Sequence, residues 1–225
     1  MSRHLKISHN KSGRDFVVGD LHGCYDLLMR KMSDVDFDTS RDRLFSVGDL
    51  IDRGSKSFEC LKLIDQHWFF ACVGNHEELF AESFLNPLEH VRLANYDCWM
   101  GNGGEWSKKH SEQELLPYVK YIRESMPYAI TIGHGEKYPV GICHAQPPSR
   151  DWSDVEKESM WPTMTWARTK VKKEDLWSVR DMYMTYHGHS IVYAPRKLGN
   201  TVFIDTGAHY SGDLTMLEIK VPEDD

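Results

Sequence analysis

No stretch of this chain is apolar for long enough to cross a bilayer as a helix, which takes about 20 residues. The opening Met1-Ser2-Arg3-His4-Leu5-Lys6 lacks the apolar core of a secretory signal, so no targeting segment is expected. Cysteine is sparse. The five thiols (Cys24, Cys60, Cys72, Cys98 and Cys143) are odd in number and form no Cys-x-x-Cys, which fits a reducing cytoplasm. Surplus positive charge is also missing: a net charge of -7 argues against nucleic acid or an anionic membrane as partner. Internal repeats, low-complexity tracts and a linker are absent. The 225 residues are therefore read as one domain, 1–225, long enough to bury a sizeable core. What remains is ordinary globular composition, with 40% hydrophobic and 27% charged residues.

The pattern that organises the chain is an apolar run ending on a polar residue that could bind a metal. Residues 16–19 run into Asp20 with His22 beyond, and residues 44–48 run into Asp49, with Asp52 and Arg53 following. Residues 69–74 run into Asn75 and His76, 140–143 into His144, and 182–186 into His187-Gly188-His189. Short apolar runs stopping at Gly read as buried strands entering turns. Helical spacing follows the first three runs, over 25–32, after Ser57 as a candidate cap, and over 77–85. Alternation of strand and helix at this spacing predicts a βαβαβ core with parallel strands, whose carboxyl ends share one edge. Residues 1–14 are expected to be peripheral. A helical insertion is expected at about 87–127, with helices over 87–96 and 112–126. A hairpin is expected over 128–143, and closing strands over 182–186, 201–204 and 214–219. Residues 145–179 show no sustained period but hold Trp152, Trp161, Trp166 and Trp177, and 222–225 form an acidic tail.

If the strand ends converge, Asp20, His22, Asp49, Asn75, His144 and His189 form one constellation. Carboxylate, amide oxygen and imidazole without thiolate suit manganese, iron or zinc better than calcium. Two cations close together need a shared anion, and Asp49 is the central candidate for that bridge. Water held between such ions becomes a hydroxide near neutral pH, and the pair clamps a phosphoryl oxygen. Taken singly, an Asp after Gly is a common turn residue, Asn75 could be a helix cap, and Arg53 and Arg168 could be surface ion pairs. The joint pattern carries the reading.

Three motifs, Gly19-Asp20-Leu21-His22-Gly23, Gly48-Asp49-Leu50-Ile51-Asp52-Arg53-Gly54 and Gly74-Asn75-His76-Glu77, resemble in order and spacing the signature of the phosphoprotein phosphatase family of metallophosphoesterases. Asn102-Gly103-Gly104-Glu105-Trp106, Cys143-His144-Ala145, Trp166-Ala167-Arg168, Gly188-His189-Ser190 and residues 204–208 are similar to its small bacterial and bacteriophage members. The resemblance implies an α/β (α+β) fold of the calcineurin-like metallophosphatase kind, a central β-sandwich of two mixed sheets flanked by helices. It implies two divalent metal ions, manganese foremost and iron or zinc otherwise: Asp20, His22 and Asp49 on the first, and Asp49, Asn75, His144 and His189 on the second. His76 then matches the general acid, Asp52 the carboxylate that orients it, and Arg53 and Arg168 the arginines that grip phosphate. Ser190 stands where Thr is usual, and Gln146 where small or acidic residues are common.

The activity so implied is that of a serine/threonine protein phosphatase. Metal-bound hydroxide would hydrolyse phosphoserine and phosphothreonine in phosphoprotein substrates and release inorganic phosphate. A symmetrical bis(5'-nucleosyl)-tetraphosphatase, acting on diadenosine tetraphosphate, shares the three motifs and is the alternative, with the Trp-rich segment as candidate walls for a purine. A catalytically dead metal-binding module is the reading from outside the enzymes.

Overall fold

The structure, a computed structural model, describes residues 3–222. Met1, Ser2 and the acidic tail apart from Pro222 lie outside the described residues. The chain runs β1 (His4–Ile7), β2 (Asp15–Val18), α1 (Tyr25–Asp34), β3 (Arg43–Ser46), α2 (Ser57–Leu61), β4 (Phe69–Ala71) and α3 (Asn75–Leu85). It continues through α4 (Glu89–Gly101), α5 (Glu112–Glu124), β5 (Ala129–Ile132), β6 (Val140–Cys143), α6 (Trp161–Trp166) and α7 (Thr169–Lys172). The last elements are β7 (Met184–His187), β8 (Arg196–Leu198), β9 (Thr201–Phe203), α8 (Ala208–Ser211) and β10 (Met216–Glu218).

These strands build two mixed sheets, ordered β10-β2-β3-β4 and β1-β5-β6-β7-β9-β8. Period-two patterning assigns the faces. Val17 of β2, Phe45 of β3 and Cys72 just beyond β4 pack with Ile130, Ile142, Tyr186 and Ile204 of the other sheet. Their neighbours Phe16, Val18 and Leu44 face the opposite way, onto Leu28 of α1, Leu61 of α2 and Leu79 and Phe80 of α3. Burial on both faces explains why β2 and β3 read as continuous apolar runs. Each fully buried Val, Leu or Phe contributes about 1.5–3 kcal/mol of transfer free energy to holding the layers together.

The parallel core is as expected: β2 pairs β3, and β3 pairs β4, all parallel. Beyond that core β10 closes the sheet antiparallel to β2, which makes it mixed, as the resemblance implied. The hairpin is present, with β5 antiparallel to β6. Residues 1–14 are not merely peripheral, for His4–Ile7 pairs in parallel with β5 as an edge strand. Ser57 is the first residue of α2 rather than its cap, and its hydroxyl donates to Gly54 O at 3.0 Å.

Residues 145–179 are more ordered than their lack of period suggests: two of their tryptophans fasten the segment to β5 and the residue before it, and a third packs within the segment. Trp152 donates to Thr131 Oγ1 at 2.7 Å, Trp161 stacks on Tyr128 at 4.3 Å, and Trp177 lies under the Lys170 ammonium at 3.8 Å. Among the described residues, no helix is long and apolar enough to cross a membrane.

Candidate active site

The carboxyl ends of β2, β3 and β4 in one sheet and of β6 and β7 in the other meet at a cavity of about 410 Å³. Asp20, His22, Asp49, Arg53, Asn75, His76, Arg168 and His189 all line it. His144 lies directly beneath, fully buried, with its Nε2 3.1 Å from Asn75 Oδ1 and 3.3 Å from Asp49 Oδ2. Residues from five strand ends thus converge as the sequence pattern demanded.

The backbone is bent to achieve this. His22, Asp49, Asp52, Arg53 and His189 all adopt positive φ, between 42° and 76°. Such conformations cost a non-glycine residue about 1–3 kcal/mol each and concentrate where geometry matters more than stability. Two glycines make room: a Cβ on Gly188 would strike Asp20 Oδ1, and one on Gly74 would strike Asp49 Oδ1.

Three of the site's histidines each have one nitrogen committed to a backbone carbonyl. His22 Nδ1–H donates to Ile51 O at 2.9 Å, His144 Nδ1–H to Val47 O at 3.0 Å and His189 Nε2–H to Trp166 O at 3.1 Å. A carbonyl can only accept, so the second ring nitrogen is left as the lone-pair or titrating position, which is how metal-binding imidazoles are oriented. Two ligand groups come within reach of an ion: Asp49, His144 and His189, and separately His22, Asp49 and His76.

The electrostatics call for positive charge at this point. Burial opposes an imidazolium at His144, yet Asp49, Asp20 and Glu77 around it raise its pKa to about 10. Burial likewise opposes charge on Asp49, but His144, His76 and His22 hold its carboxyl well below the usual range. His22 and His189 are pushed down to about 3, foremost by burial. Acceptor oxygens and imidazole lone pairs converging on an anionic, buried point fit a divalent cation.

Among the described residues, the ring that comes within reach of an ion together with His22 and Asp49 is His76. Asp20 lines the same cavity, where it accepts from His189 N at 3.0 Å and lies beside Asp205, and burial and Asp205 push its carboxyl well above its ordinary value. His76 Nδ1 meets Asp52 Oδ2 at 2.6 Å. Arg53 spans the rings, donating from Nη1 to His22 Nε2 at 2.7 Å and from Nη2 to His76 Nε2 at 3.0 Å. Arg168 reaches the same cavity from the N-cap of α7, donating to His189 O at 3.4 Å.

Some contributors are not visible from the sequence alone. Glu77, the third residue of α3, accepts the backbone N–H groups of Asp49, Leu50 and Gly74. Its place in Gly74-Asn75-His76-Glu77, an acid in a helix's first turn, was the available signal. Asp205, inside the 204–208 stretch that resembles the family, and Tyr210, which has no such signal, also line the cavity. Among the described residues, none of the four tryptophans of the 145–179 segment lines it.

A sandwich of two mixed sheets, with an aspartate, histidine and arginine nest where their strand ends meet, defines a metallophosphoesterase. The chain belongs to the calcineurin-like phosphoesterase family, whose model matches residues 16–213. It is similar to serine/threonine-protein phosphatase 2 of Salmonella typhimurium (strain LT2), 30% identical over 223 residues that cover 97% of this chain and 98% of that one. A shorter stretch of 64 residues, 28% of this chain and 23% of the other, is 47% identical to the symmetrical bis(5'-nucleosyl)-tetraphosphatase of Pasteurella multocida. A solved structure provisionally described as a diadenosine tetraphosphatase superposes with a TM-score of 0.67 over 99% of this chain and 98% of its own, at 20% identity. At that identity the likeness is one of fold.

Proposed function

We propose that this protein is a serine/threonine protein phosphatase, a phosphomonoesterase built as one domain over residues 1–225, with Asp20, His22 and Asp49 holding one divalent cation and Asp49, Asn75, His144 and His189 a second. Manganese is the first choice, and iron or zinc also suits the ligand chemistry. When bound, such a pair lowers the pKa of a water and offsets charge on phosphoryl oxygens.

The chain's own residues do the rest. Arg53 and Arg168 offer guanidinium N–H groups to the phosphoryl oxygens from the cavity wall. His76 is the general acid. Its Nδ1–H is donated to Asp52 at 2.6 Å; its Nε2 lies at the cavity, where it accepts from Arg53, and it takes up the transferable proton when Arg53 turns to the phosphoryl oxygens. Burial disfavours the imidazolium of His76, but Asp49 and the hydrogen bond to Asp52 outweigh it and raise its pKa above the ordinary value. The His76–Asp52 contact at 2.6 Å is the observation that carries this reading, because a buried acid aimed at the leaving group is needed only for a strongly basic alkoxide.

Diadenosine tetraphosphate hydrolysis is the second reading, supported by the short match to a tetraphosphatase. The walls expected for a purine weigh against it, since Trp152, Trp161 and Trp177 are spent on packing and Trp166 is the one tryptophan of residues 145–179 left exposed near His189. The protein is stripped with chelator, reloaded with manganese and assayed on a phosphoserine peptide and on diadenosine tetraphosphate. Turnover of the peptide at the higher kcat/KM is expected. Preference for the dinucleotide would replace this reading with the second, and hydrolysis of neither would leave a binding module.

A further inference from the structure

The acid dyad is wired into a part of the molecule that contributes nothing to the cavity itself. Asp52 is fully buried, and two indoles close over it. Trp99, near the end of α4, donates Nε1–H to Oδ1 and Oδ2 of Asp52 at 3.0 and 3.1 Å. Trp106, in the short 3₁₀ turn Gly104–Lys109, donates to Oδ1 at 2.7 Å. An indole nitrogen can only donate, so both contacts require Asp52 to present acceptor oxygens. Oδ2, which Trp99 also reaches, is the oxygen that meets His76 Nδ1.

The same rings also hold the other partner. Phe80 of α3 packs against Trp99 at 5.0 Å and Trp106 at 5.8 Å, and the two indoles meet edge to face at 6.3 Å. His76 sits in the first turn of α3, so one aromatic box fixes the carboxylate by hydrogen bonds and the imidazole's helix by packing. The turn between the two tryptophans is fastened beside Asp52 as well, since Arg53 N donates to Gly103 O at 3.3 Å.

We infer that Trp99 and Trp106 are positioning residues for proton delivery to the leaving group. They act through Asp52: two N–H donors lock its carboxylate plane, and that plane sets the ring orientation of His76 and hence the direction in which its Nε2 points. In the step concerned, a hydroxide oxygen derived from water bonds to phosphorus, the phosphorus–oxygen bond to serine breaks, and the proton held on Nε2 of the imidazolium moves to the departing serine oxygen. The neutral imidazole is then reprotonated from water. The inference rests on the reading of His76 as the acid.

The test uses the manganese-loaded full chain under single-turnover conditions, which read chemistry rather than release. Trp106→Phe and Trp99→Phe are compared with His76→Asn on a phosphoserine peptide and on p-nitrophenyl phosphate, whose leaving group departs without a proton. Each tryptophan variant should slow the peptide by about tenfold or more, up to the whole 10²–10⁴ that general-acid catalysis supplies. It should leave the nitrophenyl ester within about twofold of wild type, and its peptide loss should vanish in an Asp52→Asn background, as coupling through Asp52 requires. Benzothienylalanine at position 106 keeps the bicyclic shape without the N–H, so it guards against a Phe variant that merely repacks, and it should reproduce the selective loss. Equal losses on both substrates, or a benzothienyl variant of wild-type rate, overturn the inference. Selectivity in His76→Asn but not in the tryptophan variants overturns the inference alone. Its absence in His76→Asn removes the acid reading and the inference with it.

Discussion

Glu77 holds Asp49 by its backbone. Oε2 of Glu77 accepts from Asp49 N at 2.8 Å and from Gly74 N at 2.9 Å, while Oε1 accepts from Leu50 N at 2.8 Å. Both carboxylate oxygens serve as acceptors in a fully buried position, and they hold the strained turn at Asp49 against the start of α3.

Glu77→Gln therefore tests whether acceptor capacity or shape matters here. The amide has one acceptor oxygen, so its NH₂ must face at least one backbone N–H. Leaving one buried donor unsatisfied costs about 1–3 kcal/mol. A fall of that size in urea unfolding is expected, with manganese affinity reduced. Unchanged stability would mean the turn does not depend on this carboxylate.

Asp49→Asn keeps the volume and removes the charge shared by both proposed ligand sets. Metal content by elemental analysis should fall towards one ion per chain and phosphatase activity should be lost, while the circular dichroism spectrum stays that of wild type. Full metal content with normal turnover would exclude a two-ion site bridged by Asp49.

For the arginines, Arg53→Ala and Arg168→Ala should each weaken inhibition by inorganic phosphate. A hydrogen bond to a charged group contributes about 1.5–3 kcal/mol, so the inhibition constant should rise roughly ten- to hundredfold. Lysine should rescue poorly, because it lacks the planar fork. Wild-type phosphate inhibition in both variants would mean that neither guanidinium grips phosphate, although both line the cavity.

The pKa of His144, raised to about 10, gives the chelated protein a signed pH dependence. A group whose folded pKa lies above its unfolded value stabilises fully below the unfolded one, near 6.5, and loses that contribution as pH rises through the folded one. Melting temperature of the chelated protein should thus fall between about pH 6.5 and 10 through this group, and His144→Gln should flatten the slope. Adding manganese at pH 8 in weak buffer should release a proton, since cation and imidazolium compete for one place. A pH-independent melting temperature over that range would contradict the coupling of His144 to Asp49.

What was legible in the sequence was whatever depends on local order. Asp20, Asp49, Asn75, His144 and His189 each follow an apolar run, and parallel pairing places the first three on one edge without further information. Edge strands were harder. His4–Ile7 alternates without strong apolarity because only one neighbour, β5, pairs with it, and Arg196–Leu198 is a three-residue edge in a stretch that reads as turn. Least visible were contacts made across the chain. Trp99 and Trp106 stand 47 and 54 residues from Asp52, and no spacing rule links an indole to a carboxylate at that distance. The tryptophans of 145–179 drew notice by their density, yet density reports packing as readily as binding.

The distance in sequence between the two halves of the cavity has a temporal meaning. His144 meets Asn75 across 69 residues and His189 meets Asp20 across 169, each pair joining one sheet to the other. Contacts of such separation form late, because the entropy of closing the intervening chain must be overcome first. While the chain is being made, the three N-terminal motifs can assemble on β2, β3 and β4, yet the cavity stays open on one side until the segment ending at His189 has left the ribosome and docked. Catalytic competence is then a late event in the life of each molecule, reached only when its second sheet has closed over the first.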